Sequence, residues 1–168
     1  MFGKRRKQQR QGQEENWAAE TITILKHKLL EDPPFQDVQI GLIDDEGKEV
    51  LRLDVPTERC GDLMIIVAPV QELHVSVLAE SLVCFPDNVD RKKVLETINE
   101  FNRKLVHMTF VLVDDIEGMP PFLRMKTTFM CDAPNRTADQ AIFMISMLPE
   151  YLEEAYATFS AIAKGVSR

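Results

Sequence analysis

Cysteine, glycine and histidine are scarce in this sequence, and each shortage removes a class of chemistry. The seven glycines fall singly, so neither a phosphate-cradling P-loop nor a dinucleotide-binding glycine pattern is present. His27, His74 and His107 are separated by 47 and 33 residues, so no helical histidine pair can hold a catalytic zinc. Cys60, Cys84 and Cys131 are odd in number and lack Cys-x-x-Cys spacing. That argues against a structural zinc site or a disulfide framework, and for a reducing, cytoplasmic compartment. No run of eighteen apolar residues suggests a membrane span. The charged N-terminus is not followed by the apolar stretch that a secretory signal needs. No metal and no cofactor is expected.

What is present is an ordinary globular balance. The 168 residues are 45% apolar and 28% charged, which suits one core. Charge is unevenly placed. Lys4, Arg5, Arg6, Lys7 and Arg10 precede the first acid, Glu14, and with a whole-chain charge of −7 the remainder carries −12. Residues 1–13, rich in Gln, Lys and Arg, cannot bury enough apolar surface to offset their ordering entropy, and read as a disordered basic leader. Residues 14–168 read as a single α+β domain. Its acidic body should repel nucleic acid, leaving only weak binding through the five leader cations. A second use for those cations is an anionic membrane surface.

Periodicity then gives the elements. Asn16 is a candidate N-cap, and Ala18, Ile22, Leu25 and Leu29 recur at helical spacing until Asp32-Pro33-Pro34, where proline disfavours further helix. Val38, Ile40 and Leu42 alternate with polar residues, then Leu51, Leu53 and Val55 do the same across a turn at 44–47 in which Gly47 can take a positive φ. Residues 63–68 and 73–84 read as two more strands, the second bent near Glu80-Ser81. After Pro86, with Asp87, Asn88 or Asp90 as cap, Val94, Ile98, Phe101 and Leu105 mark a helix. Strands at 106–113 and 122–131 follow. A last helix, started by Asn135 or Thr137, carries the stripe Ala141, Ile145, Leu148, Leu152, Tyr156, Phe159 and Ile162. Pro149 falls within that stripe and should kink or split it. The order is α-β-β-β-β-α-β-β-α, an antiparallel sheet flanked by helices.

Few residues suggest chemistry. Cys84 with His74 or His107 is the least implausible nucleophile–histidine pair, against which both Cys84 and Cys131 fit buried strand positions. The acidic turns at 44–46 and 114–118 lack the alternating ligand spacing of a calcium loop. Asn99 and Asn102 sit three apart on the second helix. They suit partner recognition, or, since a strand follows at once, hydrogen bonding to free main-chain groups of that strand. Met108, Met119, Met125, Met130, Met144 and Met147 crowd the C-terminal half, either as core filler or, with Phe122 and Phe129, as an adaptable binding patch.

The segment from Arg91 to Leu105, with Asn99, Phe101 and Asn102, runs directly into the strand at 106–113. The strand at 122–131 then leads into the final helix. This arrangement resembles the YbjN-like bacterial family of sensory transduction regulators, whose fold is similar to that of type III secretion chaperones. The resemblance covers residues 16–163 in element order and is concentrated in 91–131. It implies a type III secretion chaperone-like sheet flanked by helices and a non-enzymatic, protein-binding, homodimeric regulator, with no catalytic residues to carry over. The surfaces expected to meet a partner are Asn99, Phe101, Asn102, Met108, Phe110, Phe122, Met125 and Phe129. An exposed strand edge there would accept a partner's segment by β-augmentation. The alternative is a small-molecule-binding domain or an enzyme, with a pocket enclosed between helix and sheet.

Overall fold

The computed structural model describes residues 17–45, 48–58, 60–70 and 73–165. The leader, the Asn16 cap and Gly47 lie outside these residues. The elements are α1 (Trp17–Glu31), β1 (Gln39–Asp45), β2 (Lys48–Thr57), β3 (Gly61–Val70), β4 (His74–Cys84), α2 (Arg91–Lys104), β5 (Thr109–Val113), β6 (Phe122–Met130) and α3 (Pro134–Ala163). This is the order read from the sequence, and the fold is α+β with an antiparallel sheet. No described helix is long and apolar enough to cross a membrane.

The sheet has six strands in the order β1-β2-β3-β4-β6-β5, every neighbouring pair antiparallel. Period-2 alternation gives it two unlike faces. One register row crosses all six strands as Ile40, Leu53, Ile65, Ala79, Met125 and Phe110. Ile40 is half-buried and the other five are buried. The adjacent row is Gly41, Arg52, Ile66, Leu78, Lys126 and Thr109, and all of it is half-buried or exposed. The helices cover the first face. Ile22, Leu25 and Leu29 of α1 and Ala141, Ile145, Leu148, Leu152 and Phe159 of α3 are at most 1% exposed there. Each Leu or Ile so buried contributes about 1.5–3 kcal/mol.

Local chemistry sets the element ends. Asp37, in the left-handed region at φ 58°, turns the chain into β1, a conformation Asp tolerates better than most residues. Asp90 caps α2 by accepting the Lys93 N–H at 3.1 Å, worth about 1 kcal/mol. Arg103 and Lys104 occupy its last turn, where the helix dipole favours cations. In β4 the register steps from Ala79↔Met125 to Val83↔Leu123. This bulge falls at the bend expected near Glu80, and both Leu82 and Val83 beside it are buried.

Three expectations need correction. The strand expected at 106–113 begins only at Thr109, because the chain leaving α2 at Leu105 must first descend to the sheet. The last helix starts at Pro134, one residue before Asn135 and three before Thr137, with Ala133 in the cap position and no side-chain cap bond; proline suits the first turn, where its missing N–H costs nothing. Pro149 does not split α3, which is one helix through Ala163. Ile145, Leu148 and Leu152 around it are all buried in the core, and their packing offsets the roughly 3 kcal/mol that an interior proline costs.

Candidate interaction groove

An antiparallel sheet has two edges, and each presents unpaired main-chain groups. At the β5 edge, Asn102 reaches across from α2. Its Nδ2 donates to the Phe110 carbonyl at 2.9 Å and its Oδ1 accepts the Phe110 N–H at 2.8 Å. The amide thus takes the place of a neighbouring strand at the middle of β5, and a partner strand is excluded there.

Beyond Thr109 the edge is open. β5 pairs β6 only from Thr109↔Lys126 to Val113↔Phe122, while β6 continues to Met130 against β4. Cys131 donates its N–H toward β4, to the Leu73 carbonyl at 2.7 Å. By alternation, odd-numbered residues of β6 direct their main-chain groups to β4 and even-numbered ones to the opposite side. Lys126 therefore faces Thr109, whereas Thr128 and Met130 face a position where β5 offers no residue.

That position is a groove of about 810 Å³ lined by Val106, Thr127, Phe129, Arg136, Phe143 and Met144, with His107, Thr109, Lys126, Thr128, Asp139 and Gln140 around them. Its floor is apolar. Two of its walls are large hydrophobics left in solvent, Val106 at 86% and Phe143 at 63% exposure. Met130, at the open end of β6, is also exposed. Of the charged groups, Asp139 is paired with Lys28 of α1, and Arg136 with Asp132. Lys126 makes no ion pair among the described residues.

The residues singled out from sequence divide sharply. Met108, Phe110, Phe122 and Met125 are interior, so no partner reaches them in this arrangement. Phe101 is half-buried in an aromatic cluster, its ring 5.8 Å from Phe110 and 5.5 Å from Phe159. Asn102 is engaged with Phe110, the structural one of its two readings, and Asn99 is exposed on α2. Phe129 alone of the eight lines the groove. Among the crowded methionines, Met108, Met125 and Met144 are core, while Met119 and Met130 are exposed. Val106, Phe143 and Arg136 were missed. Phe143 carried a readable signal: it is a large apolar residue lying off the buried stripe of its own helix.

The nucleophile–histidine pair considered from sequence does not come together. Cys84 and His74 occupy opposite ends of β4, about 30 Å apart along the strand. His107 lies at the Lys126 end of the β5–β6 pair and Cys84 at the Phe122 end, so neither histidine activates that thiol. Among the described residues no group of His, Cys, Asp and Glu is placed to hold a metal. Cys131 is buried, and burial pushes its thiol pKa up, with hydrogen bonding from the Thr21 hydroxyl opposing that rise. No family model matches the chain. Nor does any curated protein.

Proposed function

We propose that this protein is a non-enzymatic interaction module that receives an extended polypeptide segment in the groove beside β6. The observation that carries the reading is the coincidence of an unpaired strand edge, at Thr128 and Met130, with exposed apolar walls, Val106 and Phe143. An added strand there would continue the row begun by β5. Main-chain hydrogen bonds would supply affinity and the apolar walls would take alternate side chains. The YbjN-like, type III secretion chaperone-like resemblance of residues 91–131 supports the same reading, as does its bacterial regulator role. Three cysteines free of disulfides support a cytoplasmic setting.

Self-association belongs to the same proposal and would use the uncovered sheet face. There Met64, Ile66, Leu78 and Val111 are half-buried and lie beside pairs already satisfied within the chain, Arg52–Asp54 and Glu80–Arg124. The charges of those two pairs are thus cancelled within the chain, and only their apolar neighbours would have to lose water in a contact between copies. Light scattering on the full chain checks this, and a monomer at high concentration removes it.

The groove reading is tested with seven-residue peptides of alternating apolar and polar residues, followed by amide hydrogen exchange. Binding should slow exchange at Thr128 and Met130, and a Val106→Asp, Phe143→Asp double variant should lose binding while keeping its fold. Protection appearing elsewhere, or none at all, overturns the reading.

A further inference from the structure

The reading above leaves the chemistry of the segment open, and the two walls of the groove narrow it. A strand laid against residues 127–130 of β6 must alternate its side chains between the two faces of the sheet. Those opposite Thr127 and Phe129 turn toward the helices, where Phe129, Met144 and Phe143 wait. Those opposite Thr128 turn to the uncovered face, where the diagonal neighbours on β6 are Lys126 and Met130. Lys126 is exposed there without an ion-pair partner among the described residues, whereas Arg136, on the first turn of α3, is paired with Asp132. Asp139, the acid in the lining, is neutralised by Lys28. In a chain of net charge −7, the charge in the groove's lining that has no ion pair among the described residues is thus the cation Lys126, beside an apolar floor and the positive end of the long α3 dipole.

Resting on that reading, we propose that the segment received is an extended peptide in which apolar residues alternate with acidic ones, the apolar set on Phe129, Met144 and Phe143 and the acidic set toward Lys126. The chain's own leader is the wrong occupant. Its Lys4, Arg5, Arg6, Lys7 and Arg10 repeat the charge of the groove, and Phe2 is its only large apolar group after Met1.

Three peptides separate the possibilities: heptamers of alternating valine with glutamate, with threonine or with lysine, titrated calorimetrically into the full chain at low salt. The expected order of affinity is glutamate, threonine, lysine. A single cross-strand charge contact corresponds to about fivefold between adjacent members of that order. Lys126→Glu should invert the order while leaving the threonine peptide unchanged, and added salt should flatten it. Equal affinities for the glutamate and lysine peptides, or an order untouched by Lys126→Glu, overturn the acidic preference while the groove reading stands. Failure of all three to bind overturns both. A doubled solution mass, with Thr128 and Met130 already protected from exchange, would show a second copy in the groove and would likewise overturn the proposal.

Discussion

Asn102 closes on both main-chain groups of Phe110, donating to its carbonyl at 2.9 Å and accepting its N–H at 2.8 Å. One side chain thereby does what a seventh strand would do, and it holds α2 against the sheet at the same point. Phe110 is 2% exposed, so losing the amide leaves its two main-chain groups without their partner. Asn102→Ala should cost about 2–4 kcal/mol, the sum of two unsatisfied groups at the low end of their range. Asn99→Ala, on the exposed side of the same helix, should stay within about 0.5 kcal/mol of wild type. Urea unfolding of both variants checks the contrast, and equal midpoints would remove the structural role assigned to Asn102.

Phe159 touches three other rings. Its centroid lies 5.5 Å from Phe101, 6.1 Å from Phe110 and 6.3 Å from Phe85, and it is fully buried. Phe159→Ala should destabilise by about 3–5 kcal/mol. Phe143→Ala, sixteen residues earlier on the same helix but solvent-exposed, should leave the thermal midpoint unchanged. Calorimetry on the pair tests whether the aromatic cluster or the groove wall carries stability.

Two ion pairs described on the uncovered face differ in setting. Glu80 and Arg124 side chains are 11% and 28% exposed, with Nε to Oε2 at 2.9 Å. Arg124→Ala leaves Glu80 short of solvent and of a partner, at a cost of about 1–3 kcal/mol. Arg52→Ala removes a pair in which both side chains are open to water, and no change in midpoint is expected.

Thiol chemistry follows burial. Cys84 is exposed, while Cys60 and Cys131 are buried. A thiol reagent should titrate one cysteine in the native protein and three in denaturant. The raised pKa of Cys131 also gives a pH dependence. Below the unfolded thiol pKa its contribution is constant. As pH rises through about 8.5–9, the unfolded chain ionises first and stability falls. Cys131→Ser should lessen that alkaline loss, and an unaltered alkaline slope in the variant would contradict the assignment.

The element order was legible because each segment keeps one period for its whole length: 3.6 at Ala18, Ile22, Leu25 and Leu29, and 2 at Leu51, Leu53 and Val55. The pairing β4-β6-β5 was not legible, since nothing local to Phe122–Met130 says that it enters between two earlier strands. The late start of β5 was hidden for a related reason. Val106, His107 and Met108 have strand-like composition, and only the height of α2 above the sheet keeps them out. That same departure opens the groove, so its lining could not be read from any one segment. Asn102 was readable only as a pair of alternatives, because its partner depends on where β5 lands.

The insertion of β6 between β4 and β5 also sets a timetable for synthesis. The four-strand meander β1–β4 can pair as soon as it leaves the ribosome, since each strand lies beside its predecessor. From then until Met130 has emerged, β4 keeps its other side bare, and β5 has nothing to pair with. A nascent chain of this design carries a temporary sticky border for some fifty residues of translation, a few seconds to ten at ordinary elongation rates. The border is sealed by a strand whose own far end stays partly open in the finished protein.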